Sequence, residues 1–515
     1  MDPELIAEYQ KKFPEVFAFV EGILERFPEL DRFIKSQGLV KSQIDEQAKQ
    51  VMDTVAKDMK PYRDQFEVFR NLPKEGRSHA EVLKELEEMQ SVERKKWKEG
   101  YVSGAVYHGD DDHIDYMNRA YTLHSQSNPL HSDLWPSASK FEAEIISMTA
   151  GMLSDGAPQS VRDQLCGSVS SGGTESILLA MKTYRDMAFH ERGVRNPEMV
   201  LPTTAHVAFH KAAQYFKIKM RLVPFDSNFR ADLSAVKKAI NGNTVVVIGS
   251  APAFPHGIVD PIEEMSEMAR AKGVPFHTDA CLGGYILPWA KKIGYSVPKF
   301  DFNLPGVTSI SVDTHKYGYA AKGTSVILYR NEKIRHHQFF TATSWPGGMY
   351  FSPTFAGSRP GGLSAACWAA LVSIGEKGYL EAAKKILATA DYIKAEMRKM
   401  PDLKILGDPL YVIAFAAASD NIDIYKVMEQ MTNKGYSLNG LHRPACVHIA
   451  LTLRHTEPGV KERFITDLKA AVEYVKANPS EKGSSAPIYG MAASLPVRSV
   501  VGDLLKTYMD AYYKV

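Results

Sequence analysis

Thr308-Ser309-Ile310-Ser311-Val312-Asp313-Thr314-His315-Lys316 runs from a short β-branched stretch straight into residues that carry charge and can exchange protons. The first five residues read as a strand, and Lys316 follows almost directly on its end. Similar strand-like runs lie upstream at Met199–Pro202, Met220–Val223, Thr244–Ile248 and Val274–Thr278. Helical segments separate most of them, as at Leu233–Ile240 and Ile262–Ala271, and a helix near 139–153 precedes a Gly-rich turn at 167–173. A second helix runs from that turn to about Arg192. Strands alternating with helices at this spacing predict an α/β domain with a mainly parallel, doubly wound sheet. Beyond residue 375 the pattern changes to a long helix, Tyr379–Arg398, and shorter strands at Leu403–Leu406, Tyr411–Ala416 and Val447–Thr452. That pattern predicts a smaller α+β C-terminal domain.

The first 60 residues read as amphipathic helices, with Ile6, Phe13, Phe17 and Val20 at helical spacing and a break at Phe27-Pro28. Charges of both signs are interspersed, so packing on the body or on a partner subunit is favoured over lying on a membrane. The expected division is a helical arm at 1–60, a large domain at 61–375 and a small domain at 376–515.

Composition narrows the function. The 515 residues carry 62 Lys+Arg against 60 Asp+Glu, a formal net charge of +2, and no polybasic run, which argues against a nucleic-acid partner. No apolar run approaches the ~20 residues that span a bilayer. The start, Met1-Asp2-Pro3-Glu4, lacks the layout of a signal peptide. Cys166, Cys281, Cys367 and Cys446 are far apart with no CxxC pair, so neither a disulfide framework nor a zinc site is expected and a reducing cytoplasm fits best.

Familiar motifs are missing. No GxGxxG follows a strand, and no HExxH or GxSxG is present. Gly318 to Gly323 has the spacing of a phosphate-binding loop, but Thr324-Ser325 stands where Lys-Ser/Thr is required. His108, Asp110, Asp111, Asp112, His113 and Asp115 could ligate a divalent ion, yet consecutive aspartates cannot all converge on one centre; a solvated loop is the preferred reading, and no metal is expected.

Four features make joint sense around pyridoxal phosphate. Ser171-Gly172-Gly173-Thr174-Glu175-Ser176 opens a helix, where free backbone N–H groups form an anion site; alone it could be a capped turn. His206 follows a strand and could stack on a pyridine ring, although a lone histidine is usually structural. Asp279 closes the strand Val274–Thr278 and, if buried, needs a cationic partner such as a protonated ring nitrogen. Lys316, with His315 beside it, could form a Schiff base if a nearby cation and a dry pocket lower its pKa. The chain order of phosphate turn, stacking histidine, acid and lysine suits that cofactor.

The residues then permit a comparison. The stretches Ser171–Ser176, His277-Thr-Asp-Ala-Cys-Leu-Gly-Gly284, Asp313-Thr-His-Lys-Tyr-Gly-Tyr319 with Lys322-Gly323, and Ala356-Gly-Ser-Arg-Pro-Gly361 resemble those of the sphingosine-1-phosphate lyases. These are pyridoxal-phosphate enzymes of the aspartate-aminotransferase fold (fold type I). The resemblance covers roughly residue 95 to the C-terminus, and its Asp-Thr-His-Lys-Tyr-Gly-Tyr element is the specific part. His-Lys and a strand-end Asp-Ala are shared with the amino-acid decarboxylases, which leaves a decarboxylase as the alternative. The resemblance implies retro-aldol cleavage of a phosphorylated sphingoid base to a long-chain aldehyde and phosphoethanolamine.

It makes Lys316 the cofactor lysine, Asp279 the ring-nitrogen partner and His206 the stacking residue, with Gly172, Gly173, Thr174 and His315 in the cofactor set. Substrate contacts fall on Tyr107, Asn128, His131, Lys322 and Tyr489. A homodimer with shared sites would bring Gly348 and Ser358 to the cofactor and Tyr350 to the substrate from the neighbouring subunit. Two departures stand out: His210 replaces an Asp or Asn of the relatives, and the membrane span of eukaryotic members has no counterpart, which implies a soluble, prokaryote-type enzyme. The general base is open among His131, Lys322, a tyrosine and the substrate phosphate.

Overall fold

The computed structural model describes residues 60–479 and 498–515, together with Glu29. The expected helical arm and Tyr489 therefore lie outside the described residues. A seven-stranded sheet forms the centre: β1 (Cys166–Ser170), β2 (Glu198–Pro202), β3 (Lys219–Val223), β4 (Thr244–Ser250), β5 (Phe276–Asp279), β6 (Val307–Val312) and β7 (Ser325–Tyr329). Their spatial order is β1-β7-β6-β5-β4-β2-β3. β7 is antiparallel to both its neighbours, and the pairings from β6 through β3 are parallel. The mainly parallel sheet is as expected.

Every residue of β1, β2, β4, β5 and β7 is buried, as a sheet covered on both faces demands. Alternation sends successive side chains to two separate cores. Met199, Leu201, Val246, Ile248, Ile327 and Tyr329 face one, while Val200, Val247, Val326 and Leu328 face the other. Only β3, at the edge, is largely exposed.

Helices α1 (His79–Lys98), α2 (Asp111–Leu123) and α3 (Pro136–Met152) precede β1, and α4 (Gly173–Arg192) follows it. A hairpin, β8 (Phe340–Ala342) and β9 (Tyr350–Ser352), leads into α5, which spans Gly361–Met397 and turns at Gly375 (φ 58°, ψ 179°). The four-stranded antiparallel sheet that follows runs in the order β10-β11-β13-β12, from β10 (Leu403–Ile405), β11 (Val412–Ala417), β12 (Asn439–Leu441) and β13 (Cys446–Ala450).

Three expectations are corrected. The Gly-rich turn expected at 167–173 is a buried strand as far as Ser170. Gly167 is required by its neighbour β7: a Cβ on it would stand 2.3 Å from the Ile327 carbonyl oxygen. The helix expected to begin at Tyr379 is the second half of α5, whose first half was concealed by Gly361-Gly362 and the kink. The acidic segment 110–115 starts a helix instead of a loop. Asp110 caps α2 by accepting from the His113 N–H at 3.1 Å, and Asp111 pairs with Arg94 and Lys98. Among the described residues, no group of three or more His, Cys, Asp or Glu is arranged to hold a metal.

All four cysteines are free and buried. Among the described residues no helix is long and apolar enough to cross a membrane.

Candidate active site

Because β7 opposes both β1 and β6, strands β1, β5 and β6 point the same way and end at one edge of the sheet. Open α/β sheets place ligands at that edge. A cavity of about 400 Å³ lies there, lined by Gly172, Gly173, Thr174, His206, Asp279, Cys281, Asp313, His315 and Lys316, with Pro252 and Phe254 closing one side. The whole four-part constellation thus converges from stretches 140 residues apart in sequence.

α4 begins at Gly172 without any side-chain cap, so its first N–H groups and the positive end of its dipole face the cavity. Gly173 permits this by its size, since a Cβ there would lie 2.7 Å from Asp313 Oδ1 and 2.9 Å from Cys281 Sγ. Ser170, Ser176 and Ser325 form a hydroxyl chain (2.7 and 2.9 Å) that stitches β1, α4 and β7 beneath the turn. Glu175 accepts from the Ser171 N–H at 2.7 Å and the Phe355 N–H at 3.2 Å, tying the turn to the segment after the hairpin.

Lys316 is governed by a residue whose role sequence reasoning missed. Its Nζ lies 2.8 Å from Oδ2 of Asp313, a buried carboxylate three residues earlier. Burial pulls the Lys316 ammonium down, but the surrounding groups, Asp313 first among them and Cys281 and Tyr107 after it, together outweigh it, so the pKa is raised, opposite to the expected depression. Burial likewise pushes the Asp313 carboxyl up, and the charges of Lys316 and His315 bring it below its usual range. An acid at i−3 from the lysine was the available signal. His315 donates from Nδ1 to the Thr324 carbonyl at 2.6 Å, and burial lowers its pKa against the pull of Asp313.

The depression falls on the neighbouring lysine. Lys322 is lowered to about 8, by burial first and then by the charge of Lys316, against the pull of Asp313. Its Nζ sits 4.8 Å from the centroid of the Tyr107 ring, a cation–π contact, and Tyr107 packs edge-on against Tyr317 at 4.9 Å. Tyr107 and Lys322 are thus brought together beside Lys316.

Asp279 accepts at Oδ1 from the Cys281 N–H (3.1 Å) and the Ser311 hydroxyl (3.2 Å). His206 borders the cavity, its Nδ1 accepting from the Ala208 N–H at 3.2 Å, with Phe254 edge-on at 6.2 Å. Tyr107, Asn128, His131, Lys322, Gly348, Tyr350 and Ser358 are not among the residues lining this cavity. Asn128 Oδ1 instead accepts from the Leu130 and Arg359 N–H groups, both at 3.1 Å, and His131 is exposed.

These residues fit pyridoxal phosphate. The uncapped helix start suits its phosphate, and Lys316 is an amine within the cavity. Asp279 is only 7% exposed, and among the described residues no Lys, Arg or His pairs with it, which leaves it for a cationic ring nitrogen. Fold and site together define a pyridoxal-phosphate enzyme of fold type I.

Comparisons with known proteins narrow the class. Residues 70–416 match the pyridoxal-dependent decarboxylase conserved domain. The sphingosine-1-phosphate lyase of Arabidopsis thaliana is 47% identical over 83% of this chain and 79% of the relative. Sphingosine-1-phosphate lyase 1 of Rattus norvegicus is 44% identical over 96% and 86%. The solved sphingosine-1-phosphate lyase of Burkholderia pseudomallei superimposes with a TM-score of 0.81 at 41% identity, covering 88% of this chain and 99% of that one. The chain belongs to the sphingosine-1-phosphate lyase family.

Proposed function

We infer that the protein cleaves phosphorylated sphingoid bases such as sphingosine 1-phosphate between C2 and C3, giving a long-chain aldehyde and phosphoethanolamine. The observation that carries this reading is the placing of two lysines with different electrostatics side by side, Lys316 paired to Asp313 and Lys322 against Tyr107. Pyridoxal phosphate, when bound, supplies an electron sink for the pair left by the broken bond.

The chain's own residues would then divide the work. Gly172, Gly173 and Thr174 hold the cofactor phosphate, Asp279 the ring nitrogen and His206 the ring face, with His315 beside Lys316 as its attachment point. Lys322 and Tyr107 grip the substrate phosphate, where a charge-assisted hydrogen bond fixes register. Asp313 sets the protonation of Lys316, and through it the proton available at substrate C2.

A homodimer completes the site in this reading. Support comes from where the remaining cofactor- and substrate-binding candidates lie. Gly348 and Tyr350 belong to the hairpin segment, Ser358 follows it, and Asn128 is hydrogen-bonded to Arg359 on the same surface. That surface also holds Pro129, Leu130, Phe340 and Phe351 around a shallow apolar depression. A partner covering it would receive these side chains at its own cavity. The four unpaired cysteines agree with a cytoplasmic setting.

The test is incubation of wild type and Lys316→Ala with sphingosine 1-phosphate, measuring fatty aldehyde. Wild type is expected to release aldehyde and Lys316→Ala none. Equal release from both, or none from wild type, overturns the reading, and carbon dioxide release from an amino acid instead would favour a decarboxylase.

A further inference from the structure

The centre of the large sheet contains a set of polar side chains that the reaction as described does not use. His277, Ser309 and Ser311 are each 0% exposed on adjacent strands, where apolar residues would be the rule. Burying them is costly unless every group is satisfied, and here they satisfy one another. β5 and β6 run in parallel register, with His277 opposite Ser309 and Asp279 opposite Ser311. Residues two apart share a face, so all four side chains meet on one side of the sheet.

Their hydrogen bonds have a single direction. The Tyr184 hydroxyl donates to Ser309 Oγ at 2.6 Å. Ser309 lies 2.7 Å from His277 Nδ1, and His277 Nε2 lies 3.2 Å from Ser311 Oγ. The Ser311 hydroxyl in turn donates to Asp279 Oδ1 at 3.2 Å. The carboxylate can only accept, so Ser311 spends its one proton on Asp279 and His277 Nε2 must donate to Ser311; a neutral imidazole then accepts at Nδ1 from Ser309. Burial keeps His277 neutral, with a pKa lowered to about 4 against the pull of Asp279. Each link therefore presents a donor toward the Asp279 carboxylate.

The far end is anchored where it matters. Tyr184 belongs to α4, the helix whose uncapped start forms the phosphate cradle. The same helix thus reaches both ends of the cofactor cavity, directly at Gly173 and through four side chains at Asp279. We propose that Tyr184, Ser309, His277 and Ser311 form a positioning relay that fixes the charge and orientation of Asp279 toward the cofactor's ring nitrogen. This rests on the assignment of Asp279 given above. None of the four is a catalytic residue, because none borders the cavity.

The test uses holoenzyme and reads cofactor dissociation constant and absorbance maximum besides activity. Ser311→Ala and His277→Leu are expected to bind pyridoxal phosphate about tenfold more weakly, the effect of losing one hydrogen bond to a charged group, with a displaced absorbance maximum. His277→Gln, which keeps a donor toward Ser311, should recover most of the affinity. Thr278→Val is the packing control. It removes an equally buried hydrogen bond, to the Phe300 carbonyl at 3.0 Å, that lies outside the relay, and it should leave both cofactor readouts unchanged. Ser311→Ala removes one oxygen atom and decides the matter if His277→Leu does not fold. Cofactor binding by Ser311→Ala indistinguishable from Thr278→Val, with Asp279→Asn impaired, overturns the relay and leaves the functional reading standing. Failure of wild type to bind the cofactor overturns both.

Discussion

Lys322 lies between two opposed charges, and its balance makes a pH prediction. Burial and Lys316 lower its pKa to about 8, and Asp313 only partly restores it. The charged form that would grip a phosphate is therefore lost as pH rises through about 8. Burial, the first cause, persists when Lys316 holds the cofactor, so the expected result is an alkaline limb in kcat/KM below the ordinary lysine range, which reports the free enzyme. Lys322→Arg should move that limb upward, because guanidinium stays charged. Stability must go the other way. The unfolded chain, with an ordinary lysine, binds more protons than the fold between pH 8 and about 10, so this group adds stability as pH rises through that window. A kcat/KM fall caused by unfolding would instead coincide with a falling denaturation midpoint, and that coincidence would defeat the assignment.

Residue by residue, the site was partly legible. Lys316, Asp279, His206 and the Gly172-Gly173 turn could be found because each follows a strand, and strand ends of such sheets converge whatever the intervening lengths. The sign of the Lys316 shift was not legible. It depends on the turn at 313–316 folding the Asp313 carboxylate back to 2.8 Å, a matter of backbone path. The relay was hidden for a related reason: Ser309 and Ser311 look like weak strand residues until parallel register sets them opposite His277 and Asp279.

At the scale of elements, α5 shows how one helix can pack on different neighbours along its length and still change direction. Its first half packs on α2 and α3 and its second half leads to β10. Between them Gly375 adopts φ 58° and ψ 179°, a region open essentially to glycine alone. A Cβ there would meet nothing within 4 Å, so the cost of Gly375→Ala is conformational, not steric. Destabilisation of about 1–3 kcal/mol is expected. It should be read as a lower denaturant midpoint with an unchanged slope, and with kcat retained at low temperature. An unchanged midpoint would mean that the helix straightens at no cost. The helix boundary was hard to read in sequence for the same reason, since paired glycines at 361–362 and a third at 375 break the apolar periodicity that marks a continuous helix. Strands β4 and β6 were legible because β-branched runs between helices have few alternative readings. β1 was not, because the close approach of Ile327 requires glycine at 167, a residue that usually signals a turn.

For the whole molecule, the hairpin segment is the part that bears on assembly. Phe340, Trp345, Met349, Phe351 and Phe355 are 53–84% exposed, a group of large apolar side chains left to water. Beside it lie Asn128, His131, Gly348, Tyr350 and Ser358, none of which reaches the cavity of its own chain. A two-fold dimer would bury that apolar face and exchange these residues between sites. The reading can be tested by complementation. Lys316→Ala and His131→Ala should each be inactive alone, His131→Ala with its fold intact because the side chain is exposed. Co-expressed, they form hybrids in which one site takes Lys316 from one chain and His131 from the other, both intact. Recovered aldehyde release in the isolated hybrid is the expected outcome. If each site were built from a single chain, every site in the mixture would lack one residue or the other. No recovery from a hybrid confirmed by mass would then place His131 outside the shared site.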